Sequence, residues 1–339
     1  QVRPDGVQGP GPGINAGAQA LHLLDGGMGR ELLRRGAPFA QPEWSALALM
    51  QASATVQEVH AAYIAAGAET LTTNSYALVP FHIGEERFRA RAGELAALAG
   101  KLARQAVTAS GKNVTIAGSL PPLFGSYRPD LFDPARAAEI ARPLIDGQAP
   151  YTDLWLAETQ SSIAEVRALH ALTARDRPFW ASFTLEDEPP AEPPRLRSGE
   201  TVAAAVAAAL ELKLDALLFN CSHPEAMTAA LKTARATIDA AGSASASMPP
   251  PLRRMAQTKK PCPPTTASTK SAPTSPPPPT WIGRNTGARR VRISLAAAVA
   301  SARNTSPHWP LGAHKTSDEK HTMASRHTAP KNAAGSCVF

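Results

Sequence analysis

Residues 215–224 read DALLFNCSHP, an apolar run of strand length that ends in asparagine, cysteine and histidine. Similar short runs occur at five earlier places: Leu21–Leu24, Glu69–Thr73, Asn113–Gly118, Asp153–Ala157 and Phe179–Phe183. Like Asp215–Phe219, they are mostly apolar rather than alternating, which is typical of parallel strands covered on both faces. The sequence therefore predicts six buried strands.

Segments with apolar residues at helical spacing lie between these runs. They are Ser53–Ala66, Glu85–Ala109, Pro134–Gly147, Ser161–Ala174 and Glu200–Leu210. We expect N-caps at Ser53, Asp133 and Ser161, because short polar side chains accept hydrogen bonds from the first helical turn. Strands that alternate with helices indicate βαβ units and a parallel sheet. The sequence thus predicts an α/β fold, a (β/α)8 TIM barrel truncated after about six βα units.

The charge balance changes near residue 240. Residues 1–240 hold 21 Lys and Arg against 26 Asp and Glu, whereas residues 241–339 hold 14 against two, together with 14 of the 32 prolines. A basic composition rich in Pro, Ser, Thr and Ala favours disorder. We therefore expect a disordered lead-in at 1–20, an incomplete barrel domain at 21–240 and a low-complexity basic tail at 241–339.

The chain carries no sequence signal for a membrane or for export. No apolar run approaches the roughly 18–20 residues that span a bilayer, and no charged segment followed by an apolar stretch opens the sequence. Three cysteines without paired spacing fit a reducing compartment better than a disulfide framework. We expect a cytoplasmic protein with no membrane partner.

Polar residues follow four of the apolar runs at the point where each run ends. They are Asp25 and Gly26, Thr73 and Asn74, Glu158 and Thr159, and Asn220, Cys221 and His223. Each alone is most simply a turn or a helix cap. Because the carboxyl ends of barrel strands meet on one face, where active sites of this fold lie, the four together predict a pocket.

Seven motifs occur in one order over residues 21–235: LLDGGMGRELLRRG, AGAETLTTNSY, PFHIGEERF, AGSLPP, LWLAETQSS, ASFTLED and FNCSHPEAM. The ordered set resembles the homocysteine S-methyltransferase family, with its S-methylmethionine-dependent and betaine-dependent members. The resemblance implies a methyltransferase of methionine biosynthesis, whose partners are L-homocysteine and a sulfonium methyl donor. The motifs around residues 69–89 favour S-methylmethionine or S-adenosylmethionine over betaine as the donor.

The resemblance also implies a Zn²⁺ cofactor and assigns roles to single residues. Cys221 is expected to be a zinc ligand, and we assign no catalytic residue beyond it. Asp25 and Glu158 are expected to engage the amino group of homocysteine, and the backbone around Gly26 and Thr73 its carboxylate. A free thiol with a pKa of about 8.5 is mostly protonated at neutral pH, and a bound zinc ion would deprotonate it.

Two further zinc ligands that the resemblance calls for are missing from the expected place. The family supplies them from a GGCCG motif on the last barrel strand, and this chain has no such motif. Cys262 and Cys337 lie in low-complexity surroundings (KKPCPPTT and AAGSCVF), so we assign neither to zinc. Since a catalytic zinc site needs three protein ligands, we expect little or no activity from the chain as written.

The codons that could encode Ala297–Pro307 suggest why these two ligands are missing. Read two bases later, the fixed bases permit Gly-Cys-Cys-Ile-Gly-Pro-Glu-His-Ile-Ala, which resembles the family's sequence at this place. We therefore hypothesise that the tail at 241–339 is out of frame, through a mutation or a sequencing error near residue 240.

Two other classes of function stay open. The chain could be a non-catalytic barrel remnant whose basic tail binds acidic partners or nucleic acid through its charge. The tail lacks interleaved aromatic residues and a known nucleic-acid-binding module, so we do not expect nucleic acid as a partner. Another barrel enzyme, such as an aldolase, would need a Schiff-base lysine at a strand end, and none stands there.

Overall fold

The computed structural model describes residues 22–246 and 292–295 of the chain. The helices in these ranges are α1 (Met28–Arg34), α2 (Ser45–Gln51), α3 (Ser53–Ala65), α4 (Pro80–Ile83), α5 (Glu85–Ser110), α6 (Ala137–Gln148), α7 (Ile163–Leu172), α8 (Val202–Leu212) and α9 (Pro224–Ala246). The strands are β1 (Thr70–Thr72), β2 (Thr115–Leu120), β3 (Leu154–Gln160), β4 (Phe179–Phe183), β5 (Ala216–Phe219) and β6 (Arg292–Leu295). None of the described helices is long and apolar enough to cross a membrane.

The strands form one parallel sheet in the order β1-β2-β3-β4-β5-β6. Before β1, Leu24 makes a single parallel bridge to Thr70, and the Asp25 N–H donates to the Thr70 carbonyl at 2.9 Å. The predicted first strand is therefore one bridge rather than a full strand. The sheet curves into a half-barrel, because Leu24 packs in one interior cluster with Trp180 of β4 and Leu218 of β5. This confirms the predicted α/β class with a parallel sheet.

Two packed layers fix the strands. The inner layer is the small cluster around Leu154, Leu156 and Leu218, and the outer layer joins the other strand face to the helices. Trp155, Phe183 and Phe219 are fully buried in the outer layer. Burying a side chain of this size contributes on the order of 1.5–3 kcal/mol, so the strand ends that carry the site are held from both faces.

The predicted strands and helices lie close to the observed ones, but the predicted N-caps are wrong. Ser162, not Ser161, caps α7, and it forms a capping box with Glu165. Ser53 is the first residue of α3, because α2 ends only two residues earlier. The Asp133 carboxylate accepts from the Ala135 N–H in a local turn, and α6 begins later.

The tail contains two ordered pieces that the composition did not predict. Helix α9 continues to Ala246, beyond the expected boundary at residue 240. Residues Arg292–Leu295 form β6, which pairs in parallel with β5. Ile293 and Leu295 alternate with Arg292 and Ser294, a pattern that suits an outer strand. The expected disorder at 1–20 and in the rest of the tail lies outside the described residues.

Candidate functional site

A polar layer lies directly above the apolar interior of the half-barrel. Successive side chains on a strand point to opposite faces, so a residue two positions beyond an interior side chain faces the same interior. The interior cluster includes Ala117, Leu156, Trp180 and Leu218. Two positions further along the same four strands come Ser119, Glu158, Ser182 and Asn220. The sheet thus gathers four polar side chains at the carboxyl ends of neighbouring strands.

Asp25 joins this layer from the segment that precedes β1. Its carboxylate accepts hydrogen bonds from the Thr72 N–H at 2.8 Å and from the Thr72 hydroxyl at 3.0 Å. The pKa of Asp25 is raised to about 7, mainly because an ionised carboxylate loses solvation there and to a lesser extent because of the charge of Glu158. The two Thr72 hydrogen bonds oppose this rise without cancelling it.

Glu158 lies at the carboxyl end of β3 and is the second carboxyl group of the site. The Ser119 hydroxyl donates to its Oε2 at 2.5 Å. Burial raises the pKa of Glu158, and the Ser119 hydrogen bond partly offsets the rise. Two neighbouring carboxyl groups with raised pKa values form a site that gains from a bound cation, because an ammonium group would favour their ionised forms.

Cys221 follows β5 and is half-buried. Its backbone has φ of +49°, and Thr159, at the end of β3, has φ of +60°. Non-glycine residues in this region cost on the order of 1–3 kcal/mol unless their surroundings fix them. Here Asn220 does so, because its Nδ2 donates to Thr159 Oγ1 at 2.9 Å and lies 3.5 Å from Cys221 Sγ. Ser182 in turn donates to Asn220 Oδ1 at 2.8 Å.

Tyr76 also belongs to this site; its place in the same strand-end loop as Thr73 suggests from sequence a pocket-lining residue, but no role was assigned to it. Its hydroxyl lies 2.8 Å from the Ser126 hydroxyl. Burial raises the pKa of Tyr76 well above its usual value, and the charges of Cys221 and Glu158 add to the rise. The phenol is therefore near both the Cys221 thiol and the Glu158 carboxyl group.

Part of the region predicted to bind the substrate carboxylate already makes contacts within the protein. A Cβ atom at Gly26 would lie 2.9 Å from the Tyr63 hydroxyl, so only glycine allows this approach. The Thr73 N–H donates to the Ala117 carbonyl at 3.0 Å, and its hydroxyl donates to Gln148 Oε1 at 2.5 Å. Because both donors of Thr73 are engaged, its role toward a substrate stays a prediction.

The donor set around Cys221 does not complete a zinc site within the described residues. No group of three or more His, Cys, Asp or Glu side chains there is arranged to hold a metal ion. The nearby His223 imidazole lies 3.4 Å from Glu188 Oε1. A catalytic zinc site uses three protein ligands and one open position. The described residues supply one soft ligand, so they do not by themselves fit the ion.

A parallel α/β half-barrel with two carboxyl groups and a cysteine at the carboxyl ends of its strands defines a barrel enzyme of the TIM-like class. Residues 22–275 match the homocysteine S-methyltransferase family. The chain belongs to this family, as the ordered motifs predicted.

Relatives and solved structures agree with this assignment. The homocysteine S-methyltransferase of Escherichia coli (strain K12) is 34% identical over 237 residues, which cover 63% of this chain and 73% of that protein. The metallated form of the homocysteine methyltransferase MmuM from Escherichia coli has a TM-score of 0.55 at 30% identity, covering 63% of this chain and 79% of that chain. Its oxidized form has a TM-score of 0.54 at 29% identity, covering 63% and 78%.

The raised pKa of Asp25 predicts a pH-dependent stability that Asp25→Asn removes. Between the ordinary pKa of 3.8 and the folded value of about 7, the folded chain holds a proton that the unfolded chain has lost. The stability from this group is therefore full below pH about 4 and falls as the pH rises toward 7, by at most about 1.4 kcal/mol per pH unit. Asparagine does not titrate, so the variant should gain stability over the wild type across this window.

Urea unfolding of both proteins between pH about 4.5 and about 8.5 measures this difference. We expect the free energy of unfolding of the variant minus that of the wild type to increase up to pH about 7 and then to level off. A difference that stays constant with pH would show that Asp25 titrates normally.

Proposed function

We propose that the pocket binds L-homocysteine and that the fold serves transfer of a methyl group from S-methylmethionine or S-adenosylmethionine to the homocysteine sulfur, giving methionine. The observation that carries this proposal is the pair of carboxyl groups, Asp25 and Glu158, beside the Cys221 thiol at one end of the sheet. An amino-acid thiol suits such a site, because its ammonium can pair with a carboxylate and its sulfur could bind the zinc ion for which Cys221 is the expected ligand. Membership of the homocysteine S-methyltransferase family supports the same substrate and reaction.

In this proposal the ammonium of homocysteine lies against Glu158 and Asp25. Its positive charge favours ionisation of both groups and so offsets the burial that raises their pKa values. Ser119 and Thr72 hold the two carboxylates in place by the hydrogen bonds they donate. The charge-assisted contacts would fix the orientation of the substrate, and Gly26 and the backbone near Thr73 would receive its carboxylate.

We further propose that Cys221 is a zinc ligand of the intact family fold and that the chain as written is impaired. The described residues give a zinc ion one ligand, which is too few for a stable catalytic site. They position a homocysteine molecule but do not by themselves turn its sulfur into a thiolate. We place the protein in the cytoplasm, where thiols stay reduced.

The proposed loss of the reading frame covers residues 241–339. Strand β6 lies within this segment, so its sequence is not part of the intact fold under this proposal. The codons of Ala297–Pro307 permit Gly-Cys-Cys in another frame. We propose that the intact chain closes a (β/α)8 barrel and brings these cysteines toward Cys221.

Sequencing the gene across codons 235–310 tests the frame proposal. We expect a single insertion or deletion near codon 240 relative to a frame that encodes Gly-Cys-Cys within codons 297–307. An error-free sequence whose shifted frame encodes no Gly-Cys-Cys would contradict the proposal, and the tail would then be the natural one.

Glu158→Gln tests the proposed binding of the ammonium group. The variant keeps the size of the side chain but removes its charge, and a hydrogen bond to a charged group is worth about 1.5–3 kcal/mol. We expect the Kd for L-homocysteine, measured by isothermal titration calorimetry, to rise about tenfold to a hundredfold. Glu94→Gln, on the exposed face of α5, is the matched control and should bind as the wild type does. Unchanged binding in Glu158→Gln would count against the proposal.

A further inference from the structure

Three loops at the carboxyl ends of the strands meet beside the site. Tyr127 lies in the loop that follows β2, Arg197 and Asp187 lie in the long loop that follows β4, and His223 follows β5. The long loop folds back on itself through an antiparallel bridge between Leu185 and Leu196. The bridge holds the two ends of the loop side by side, and Asp187 and Arg197 each lie within two residues of it.

Arg197 is held in a defined position by two contacts. Its guanidinium carbon lies 4.6 Å from the centre of the Tyr127 ring. Its Nη2 donates to Asp187 Oδ1 at 3.1 Å. Stacking on an aromatic ring fixes the plane of a guanidinium, so less conformational entropy is lost when it binds a ligand. Its Nε is buried and makes no hydrogen bond to the described residues.

Contacts connect Arg197 to Cys221 on two sides. On one side Asp187 Oδ2 accepts from the His223 N–H at 2.9 Å, and His223 lies two residues after Cys221. On the other side Tyr127 follows Ser126, whose hydroxyl contacts Tyr76, the phenol next to the thiol. Arg197 therefore belongs to the same group of loops at the carboxyl ends of the strands as Cys221, and Asp187 links it to His223.

We propose that Arg197 determines specificity for the methyl donor by binding its carboxylate. This inference rests on the proposed function. The polar layer of the site holds the two carboxyl groups, which suit ammonium and sulfonium cations but repel a carboxylate. Arg197 is a cationic side chain of these loops, and a guanidinium binds a carboxylate through two parallel hydrogen bonds. Because its Nε is buried, the two Nη groups at the tip of the guanidinium supply that geometry, and a donor that enters from the loop side places its carboxylate there.

A carboxylate-binding Arg197 favours a methyl donor that is a sulfonium amino acid with a free carboxylate. A sulfonium amino acid carries its reactive methyl group at one end and its carboxylate at the other. With the carboxylate on Arg197, the sulfonium points inward toward Cys221, where the homocysteine sulfur would lie. A donor without a carboxylate would lose the contact.

Isothermal titration calorimetry with S-methyl-L-methionine and with its methyl ester tests the inference without any need for turnover. The variants are Arg197→Met, which removes the charge, and Arg197→Lys, which keeps it without the planar fork. Arg235→Met is the control, because Arg235 is an exposed residue of α9 paired with Asp239. L-Homocysteine is titrated into each protein as the second ligand, and thermal unfolding reports whether each variant is folded.

We expect Arg197→Met to raise the Kd of S-methylmethionine about tenfold or more, with Arg197→Lys in between and Arg235→Met unchanged. Homocysteine binding should change less than about twofold in every variant, a difference of well under 1.4 kcal/mol. The methyl ester should bind the wild type about as weakly as the acid binds Arg197→Met. This ester arm keeps the test decisive even if Arg197→Met does not fold.

Several results would overturn the inference. Equal binding of acid and ester to the wild type would do so, as would native donor affinity in a folded Arg197→Met. Loss of homocysteine affinity instead of donor affinity would assign Arg197 to the other substrate. A wild type that binds neither ligand would overturn the proposed function and this inference together, whereas homocysteine binding with unaltered donor binding overturns the inference alone.

Discussion

The partial burial of two neighbouring carboxyl groups, Asp25 and Glu158, is the constraint on which the rest of the site depends. Each would lose solvation when ionised, and the charge of Glu158 adds to the cost of ionising Asp25, so both pKa values rise. The fold tolerates this because Thr72 and Ser119 donate to them and because the strands beneath are packed on both faces. A site that is unfavourable while empty becomes favourable when a cation enters it.

The same geometry accounts for the backbone around the thiol. Thr159 and Cys221 occupy left-handed backbone conformations at the ends of β3 and β5, and Asn220 ties the two ends together. Strain of this kind persists only where neighbouring contacts fix it, and it is common at functional sites. The strand ends thus gather a thiol, a phenol and two carboxyl groups on one side of the sheet.

Much of the fold was predictable from local sequence, because buried parallel strands leave continuous apolar runs. Phe179–Phe183 coincides with β4, and Asp215–Phe219 differs from β5 by one residue. The roles of Ser119 and Ser182 were not predicted, although the two-residue period of their strands places them above the interior cluster. The position of Tyr76 beside Cys221 was not predicted, because it depends on contacts between segments far apart in the chain. Strand β6 was missed because the composition of the tail hides a short alternating pattern.

We propose that the chain carries the substrate-binding part of a homocysteine S-methyltransferase site but lacks the two zinc ligands that would let Cys221 hold the metal. Metal analysis of the purified chain, after exposure to zinc and removal of loosely bound ions, tests this most directly. We expect zinc well below one ion per chain. One tightly held zinc per chain, lost on Cys221→Ala, would contradict it and would show that the tail supplies the missing ligands.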